Sequence, residues 1–129
     1  MLKHSQDAIL KKLSEDTVLQ AFFKEQTGLR FSVTTNPNEV VPPAGFLALA
    51  GAEIYRSSNS SEASFTLVLL LPIFKSAEKC LEAVDQVLVS LFNIKSGAGI
   101  VTSVVVGDMV PPADEETTWT VPLTVVMMI

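Results

Sequence analysis

Glu62-Ala63-Ser64-Phe65-Thr66-Leu67-Val68-Leu69-Leu70-Leu71-Pro72-Ile73-Phe74 begins with polar and apolar residues in alternation and ends as an unbroken apolar run. Alternation with period two marks a strand with one wet face, whereas a continuous Leu/Val run marks a strand buried on both faces. Something must therefore cover each side of it. After Lys75, Ser76 is suited to cap a helix over 77–92, where Leu81, Val84, Leu88 and Leu91 recur at helical spacing and Cys80 and Val87 flank the stripe. That helix covers one face. The first helix of the chain could cover the other by crossing the sheet from the far side. If both helices share a face, the bare face of this strand, together with residues 46–52, becomes a subunit contact.

Upstream, Ser5 or Asp7 can start a helix with Ile9, Leu13, Val18, Leu19, Phe22 and Phe23 on or near one face. Ser14-Glu15-Asp16-Thr17 reads as an end and a new cap, so this segment is either one helix or two short pieces. Gly28 closes it, and residues 29–34 alternate as a strand. Residues 35–44 carry Asn36, Pro37, Asn38, Pro42 and Pro43, which continue neither a helix nor a central strand. Within this loop Val40-Val41-Pro42-Pro43 is apolar and extended, and either docks on a neighbouring subunit or packs over its own core.

Residues 45–56 form the next strand, with Ala48, Ala50 and Ala52 on a face that a helix can approach closely. The polar stretch 57–61 is a hairpin connection into the opening strand, making the two antiparallel neighbours. Asn59-Ser60-Ser61 matches a glycosylation sequon, but turn chemistry accounts for it. After the second helix, Gly97-Ala98-Gly99 follows a helix and precedes a strand, the reverse of a phosphate-cradling context. Residues 100–106 form a β-branched strand, 110–116 its hairpin loop, and 117–129 the last strand, with Trp119, Val121, Leu123, Val125, Met127 and Ile129 on one face. Pro122 argues for an edge or a bulge there. The order α-β-β-β-α-β-β, with strands and helices segregated, gives a single α+β domain over 1–129 with a largely antiparallel sheet and two helices.

A chain of 129 residues buries about 68% of its extended surface, enough for a core without staples. Its 48% hydrophobic content is rich for that size, which points to apolar surface buried by self-association. The net charge is −5, and the nine basic residues are scattered with only Lys11 and Lys12 adjacent. Phosphate recognition needs clustered cations, so nucleic-acid binding is disfavoured. The longest apolar run is far short of the ~20 residues of a membrane span, and residues 1–13 lack a secretory h-region; the expectation is a soluble intracellular protein.

The residues needed for catalysis are scarce. His4 is the lone histidine and Cys80 the lone cysteine, which excludes imidazole-assisted nucleophiles, a disulfide framework and His/Cys metal sites. Carboxylates remain. Glu53 reads as exposed or paired with Arg30 or Arg56, with a general base as the sharper alternative. Asp108 lies near a strand end, and Asp114-Glu115-Glu116 reads as a solvated hairpin tip, with a hard-cation site as its alternative. No cofactor is implied. A small-ligand-binding domain or a carboxylate-dependent enzyme built on Glu53 is the competing reading to a binding protein without catalysis.

The helix around Ile9-Leu10-Lys11-Lys12-Leu13 with Asp16 and Leu19, the loop Val41-Pro42-Pro43 leading into Phe46-Leu47-Ala48-Leu49, the stretch Cys80 to Phe92 and the final Trp119-Thr120-Val121-Pro122-Leu123 carry a likeness over nearly the whole chain. In these features the chain resembles the tail terminator, or tail completion, proteins of long-tailed bacteriophages and prophages. The resemblance implies a structural protein and not an enzyme. It implies a homo-oligomeric ring, typically a hexamer, that caps the tail tube, stops its polymerisation and offers the surface joined to the head. Its partners would be copies of itself, the tail-tube protein and a head-completion or connector protein, in the bacterial host cytoplasm during assembly and then in the virion tail. The candidate subunit-contact residues are Val40, Val41, Pro42, Pro43, Phe46, Leu67 and Leu69. Asp114, Glu115 and Glu116 are candidates for a surface that faces the tube or its lumen, where negative charge repels DNA phosphates.

Overall fold

Asp16 divides the N-terminal helical segment in two. The structure, a computed structural model, describes residues 2–54, 61–72, 77–94, 97, 99–113 and 117–129. In it Asp16 leaves the helical region (φ −71°, ψ 107°), and its Oδ1 accepts from the N–H groups of Val18 and Leu19, each at 3.1 Å. This caps α2 (Thr17–Thr27) just after α1 (Leu2–Glu15) ends, a contact worth about 1 kcal/mol. Partial burial alone would raise the Asp16 carboxyl. The Leu19 N–H, the nearby Ser90 hydroxyl, Lys12 at 3.9 Å and the Val18 N–H outweigh it and hold the group below its ordinary value. Ser90 Oγ is buried without a hydrogen bond of good geometry among the described residues, so its effect on Asp16 is that of a nearby dipole.

The break lets both pieces reach the core. Ile9 and Leu13 of α1 and Leu19 and Phe23 of α2 are all buried, while Val18, at the turn, is exposed. Gly28 ends α2 in the left-handed region (φ 73°), its N–H donating to the Lys24 carbonyl at 2.8 Å. Gln20 then ties the helices to the sheet. Its Nε2 donates to the carbonyls of Leu13 and Phe31 at 3.0 and 2.8 Å, and its Oε1 accepts from the Phe31 N–H at 3.0 Å. Phe31 stacks on Phe23 with centroids 4.6 Å apart.

β1 (Ser32–Thr34) runs parallel to the start of β2 (Ala44–Glu53), with a 3-10 turn at Pro37–Glu39 between them. β2 pairs antiparallel with β3 (Glu62–Pro72), the opening stretch of the sequence reading. After α3 (Ala77–Phe92), β4 (Ile100–Val106) and β5 (Thr118–Met128) form an antiparallel pair, and β5 inserts between β3 and β4. The sheet order is β1-β2-β3-β5-β4. The α+β class and the strand order along the chain stand, with three helices in place of two and a mixed sheet because β1 is parallel.

Every second residue of β3, namely Ala63, Phe65, Leu67, Leu69 and Leu71, is fully buried, and these join one core with the three helices and with Val121, Leu123, Val125 and Met127 of β5. All three helices thus lie on one face of the sheet. Each buried leucine in this layer is worth about 2 kcal/mol. The intervening Ser64, Thr66, Val68 and Leu70 are half-buried, with no second layer of described residues above them. Among the described residues the apolar run therefore has one cover from its own chain, not two.

Three local expectations change. On α3 the buried stripe is Cys80, Val84, Val87 and Leu91, with Ala83 and Ser90, and Leu81 is 52% exposed; apolar residues on both flanks hid the direction of the true stripe. Ala48 lies on the face away from the helices, and a bulge between Leu49 and Gly51 turns Ala52 to the helix side, so the alanines do not form a helix seat. Pro122 lies in an interior strand. Its carbonyl accepts from the Gly107 N–H at 2.8 Å, just past the last β4 residue, Val106, which pairs with Leu123. In a strand the N and O of one residue point the same way, so the missing N–H of Pro122 falls where β4 has ended and the β3 ladder is intact. At Gly99 (φ 127°) a Cβ would sit 2.7 Å from the Met128 carbonyl, so that glycine serves close backbone approach to β5. The proposed cap Ser76, the sequon Asn59-Ser60 and the acidic tip 114–116 lie outside the described residues.

Candidate interaction surfaces

The groups with chemical potential are dispersed. His4 is exposed on α1. Cys80 is fully buried, and burial pushes its thiol up, away from the reactive thiolate. Glu53 and Glu62 face each other across β2 and β3 at an exposed end of the sheet, and Asp108 is exposed beyond β4. The Arg30 guanidinium donates to the Ser14 carbonyl at the end of α1. Among the described residues, no three of His, Cys, Asp and Glu come together in a way that could hold a metal ion, and no helix is long and apolar enough to cross a membrane. A hollow of about 400 Å³ between α1 and the end of α3 is open and lined by Lys11, Lys12, Glu15, Asp16 and Asn93 among others. It presents mixed charge on a surface, not an enclosed apolar pocket of the kind that small ligands occupy.

The sequence-derived contact residues separate into three sets. Leu67 and Leu69 point into the helix layer and are 0% exposed, so their side chains belong to the chain's own core and offer nothing to a neighbour. This corrects their assignment by parity: the outward residues of the same strand are Thr66, Val68 and Leu70. Phe46 does face outward, opposite Val68, which is in turn opposite Pro122. Phe46, Val68 and Pro122 form a half-buried apolar row flanked by Thr66, Thr120 and Thr124. In the loop, Val41 is 69% exposed and Val40 half-buried, while Pro43, joined to Pro42 by a cis peptide bond, is buried and its carbonyl accepts from the Ser32 N–H at 3.3 Å. The segment is anchored at Pro43 and presents Val41 outward.

The open sheet face also has a charge character. Every described lysine lies in a helix, and Arg30 is bound to α1, so this face carries no described cation. Its polar groups are hydroxyls, with Glu53 and Glu62 at one end. A sheet face of this kind has weak affinity for phosphates.

A second surface escaped the sequence reading. β4 is an edge strand with Ile100 and Val105 exposed, the latter by 61%. Beside it, on the flank of α3 turned away from α1 and α2, Leu81 and Phe92 are exposed by 52% and 50%. Residues 96–107 contain no charge, and this is the signal that could have found the edge: natural edge strands are normally protected by lysine, proline or inward charge.

No protein-family model matches the chain, and neither does any curated protein. Among solved structures, a chain of the virion of a native gene transfer agent particle is similar with a TM-score of 0.58 and 12% identity, over 95% of this chain and 92% of that one. At that identity the likeness is one of fold, and it extends over nearly the whole of both chains.

Proposed function

We propose that this chain is a structural protein of a phage-type particle, acting by binding and not by catalysis, and that it is a tail terminator. In this reading copies assemble as a ring, a hexamer by the family pattern, at the growing end of the tail tube. One surface of the ring meets the last tube subunits and does not accept another. The opposite surface meets the head-completion or connector protein. Assembly takes place in the host cytoplasm, and the ring stays in the virion tail.

The observation that carries this reading is the near full-length fold likeness to a chain of a virion particle. The local features agree with it. The helices cover one side of the sheet only, and Phe46, Val68, Val105 and Phe92 lie on exposed surfaces of the kind that protein contacts bury. The sheet face, which carries no described cation, suits a channel through which DNA must slide, and acids at 114–116 would add to that character if they share the lumen.

The test is to add the purified protein to the tail-tube protein of the same particle as it polymerises, and to follow tube length by electron microscopy. Density at one tube end and arrested growth are expected. Unchanged tube growth, or decoration along the tube wall, would overturn the assignment.

A further inference from the structure

β4 combines a free row of backbone groups with an apolar wall. It is an edge strand, Ile100–Val106, and no described strand pairs with it on the side away from β5. The Gly107 N–H donates to the Pro122 carbonyl on β5. Peptide groups alternate in direction along a strand, so the N–H and carbonyl of Val104 and of Val106 point away from β5. Such a row is a template for a further strand. The side chains of the same two residues lie on the helix side, opposite the buried Val125 and Leu123. Val106 is nevertheless 42% exposed, so α3 stops short of covering the edge.

α3 supplies the wall. Its Ser90 neighbours Asp16, and its Gln86 shares a hollow with Thr17, Val18 and Phe22, so that flank meets α1 and α2. At about 3.6 residues per turn, Leu81 stands on the flank opposite Ser90, and Leu88 and Phe92 follow it there. Leu81 and Phe92 are exposed and Leu88 is half-buried. α1 packs at the β1 end of the sheet and α3 against β4, so the free flank of α3 stands beside the open edge. An edge strand next to an apolar wall suits an extended peptide: the backbone gives affinity, and alternate side chains turned to the wall give selectivity. Beyond Val106 the chain continues along β5, with Val110 bridged to Thr120, so the usable rows are those of residues 100–106.

Charge says what fits. Residues 100–106 carry none. On α3, Glu78 and Asp85 lie one turn either side of Leu81, while Lys79 is engaged with Glu82 at 3.1 Å. Asp108 is exposed just past the strand. β3 finishes at Pro72 opposite Thr118, so α3 starts at the end of the sheet where Val110 meets Thr120, and these acids gather at the Val106 end of the groove. A segment that is basic at that end meets complementary charge. None of β1 to β5 contains Lys or Arg, so no strand of a second copy supplies it, and that copy also brings a net charge of −5.

We propose that the groove between β4 and α3 binds an extended segment of a different protein as an added strand antiparallel to β4. The segment is apolar at alternate residues and basic at its N-terminal end, which meets Asp108. The groove lies within one chain, so the inference goes beyond the terminator reading and does not rest on it.

The probe is the synthetic peptide acetyl-Lys-Lys-Val-Thr-Val-Ser-Val-Thr-amide, titrated into the isotope-labelled full chain and followed by NMR. Saturable shifts are expected at the amides of Val104 and Val106 and along Leu88 and Phe92. The same peptide with Glu-Glu in place of Lys-Lys should bind about tenfold more weakly. Val106→Pro removes an outward N–H and leaves the bonds to β5 in place, and it should abolish the shifts. Phe92→Ser, at an exposed wall position, should weaken binding and guards against a proline variant that fails to fold. Asp85→Lys with Asp108→Lys should reverse the order of the two peptides. Shifts centred on Phe46 and Val68, equal binding of both peptides, or no saturable shift at millimolar peptide would each overturn the proposal. So would an oligomer of the chain alone that Val106→Pro disperses, since it would assign this edge to a second copy.

Discussion

The two faces of β3 are built from neighbouring residues and have opposite fates. Phe65, Leu67, Leu69 and Leu71 are fully buried beneath three helices, while Thr66, Val68 and Leu70 between them are half-buried with no described layer above. The difference shows that in this strand stability resides in one parity and surface chemistry in the other, although both parities are rich in leucine and valine. Apolar character alone does not say which residues hold the fold.

The most forceful way to break the comparison is Leu67→Ala. It removes a wholly enclosed side chain, and the expected loss is about 2–5 kcal/mol in urea denaturation, the range for cavities that relax poorly. A loss below about 1 kcal/mol would mean that the helix layer is loose over the sheet. Asp16→Ala should cost about 1 kcal/mol by uncapping α2, and it sharpens the comparison by testing how firmly that layer is hinged. Because the folded carboxyl is held below the ordinary 3.8, its contribution is fully present above that value and lost as pH falls through the lowered one. Asp16→Asn keeps a capping oxygen and should flatten that part of the acid-stability profile; an unchanged profile would remove the assigned role. The smallest effect is expected from Val68→Thr on the open face, within about 0.5 kcal/mol in the isolated chain. A cost near that of Leu67→Ala would mean that the open face is covered after all.

The sequence carried much of this organisation. The bounds of α3 and β4 follow from helical spacing and β-branched content, and the antiparallel pairing of β2 with β3 from the short polar link between them. The parity of β3 was also readable, since Ser64 and Thr66 mark the wet side and the count continues to Val68 and Leu70. Following that count would have kept Leu67 and Leu69 in the core. Other features lie beyond local pattern. Nothing near Ser32 says that it runs parallel to Ala44, and nothing near Pro122 says that β4 stops one residue short of it. That β4 lies level with residues 47–53 across the sheet is a sum of three registers, visible only after the sheet is assembled.

The insertion of β5 between β3 and β4 has a consequence for the timing of folding. β4 is hydrogen-bonded to the sheet only through β5, which comes later in the chain. The β2–β3 hairpin closes over a short sequence separation, but Glu62 pairs with Met128 only when distant segments meet, a step of high contact order and correspondingly slow. Until β5 is seated, β4 has no sheet to terminate and its exposed edge does not yet exist. A partly folded chain therefore lacks the apolar edge that β4 presents in the complete domain.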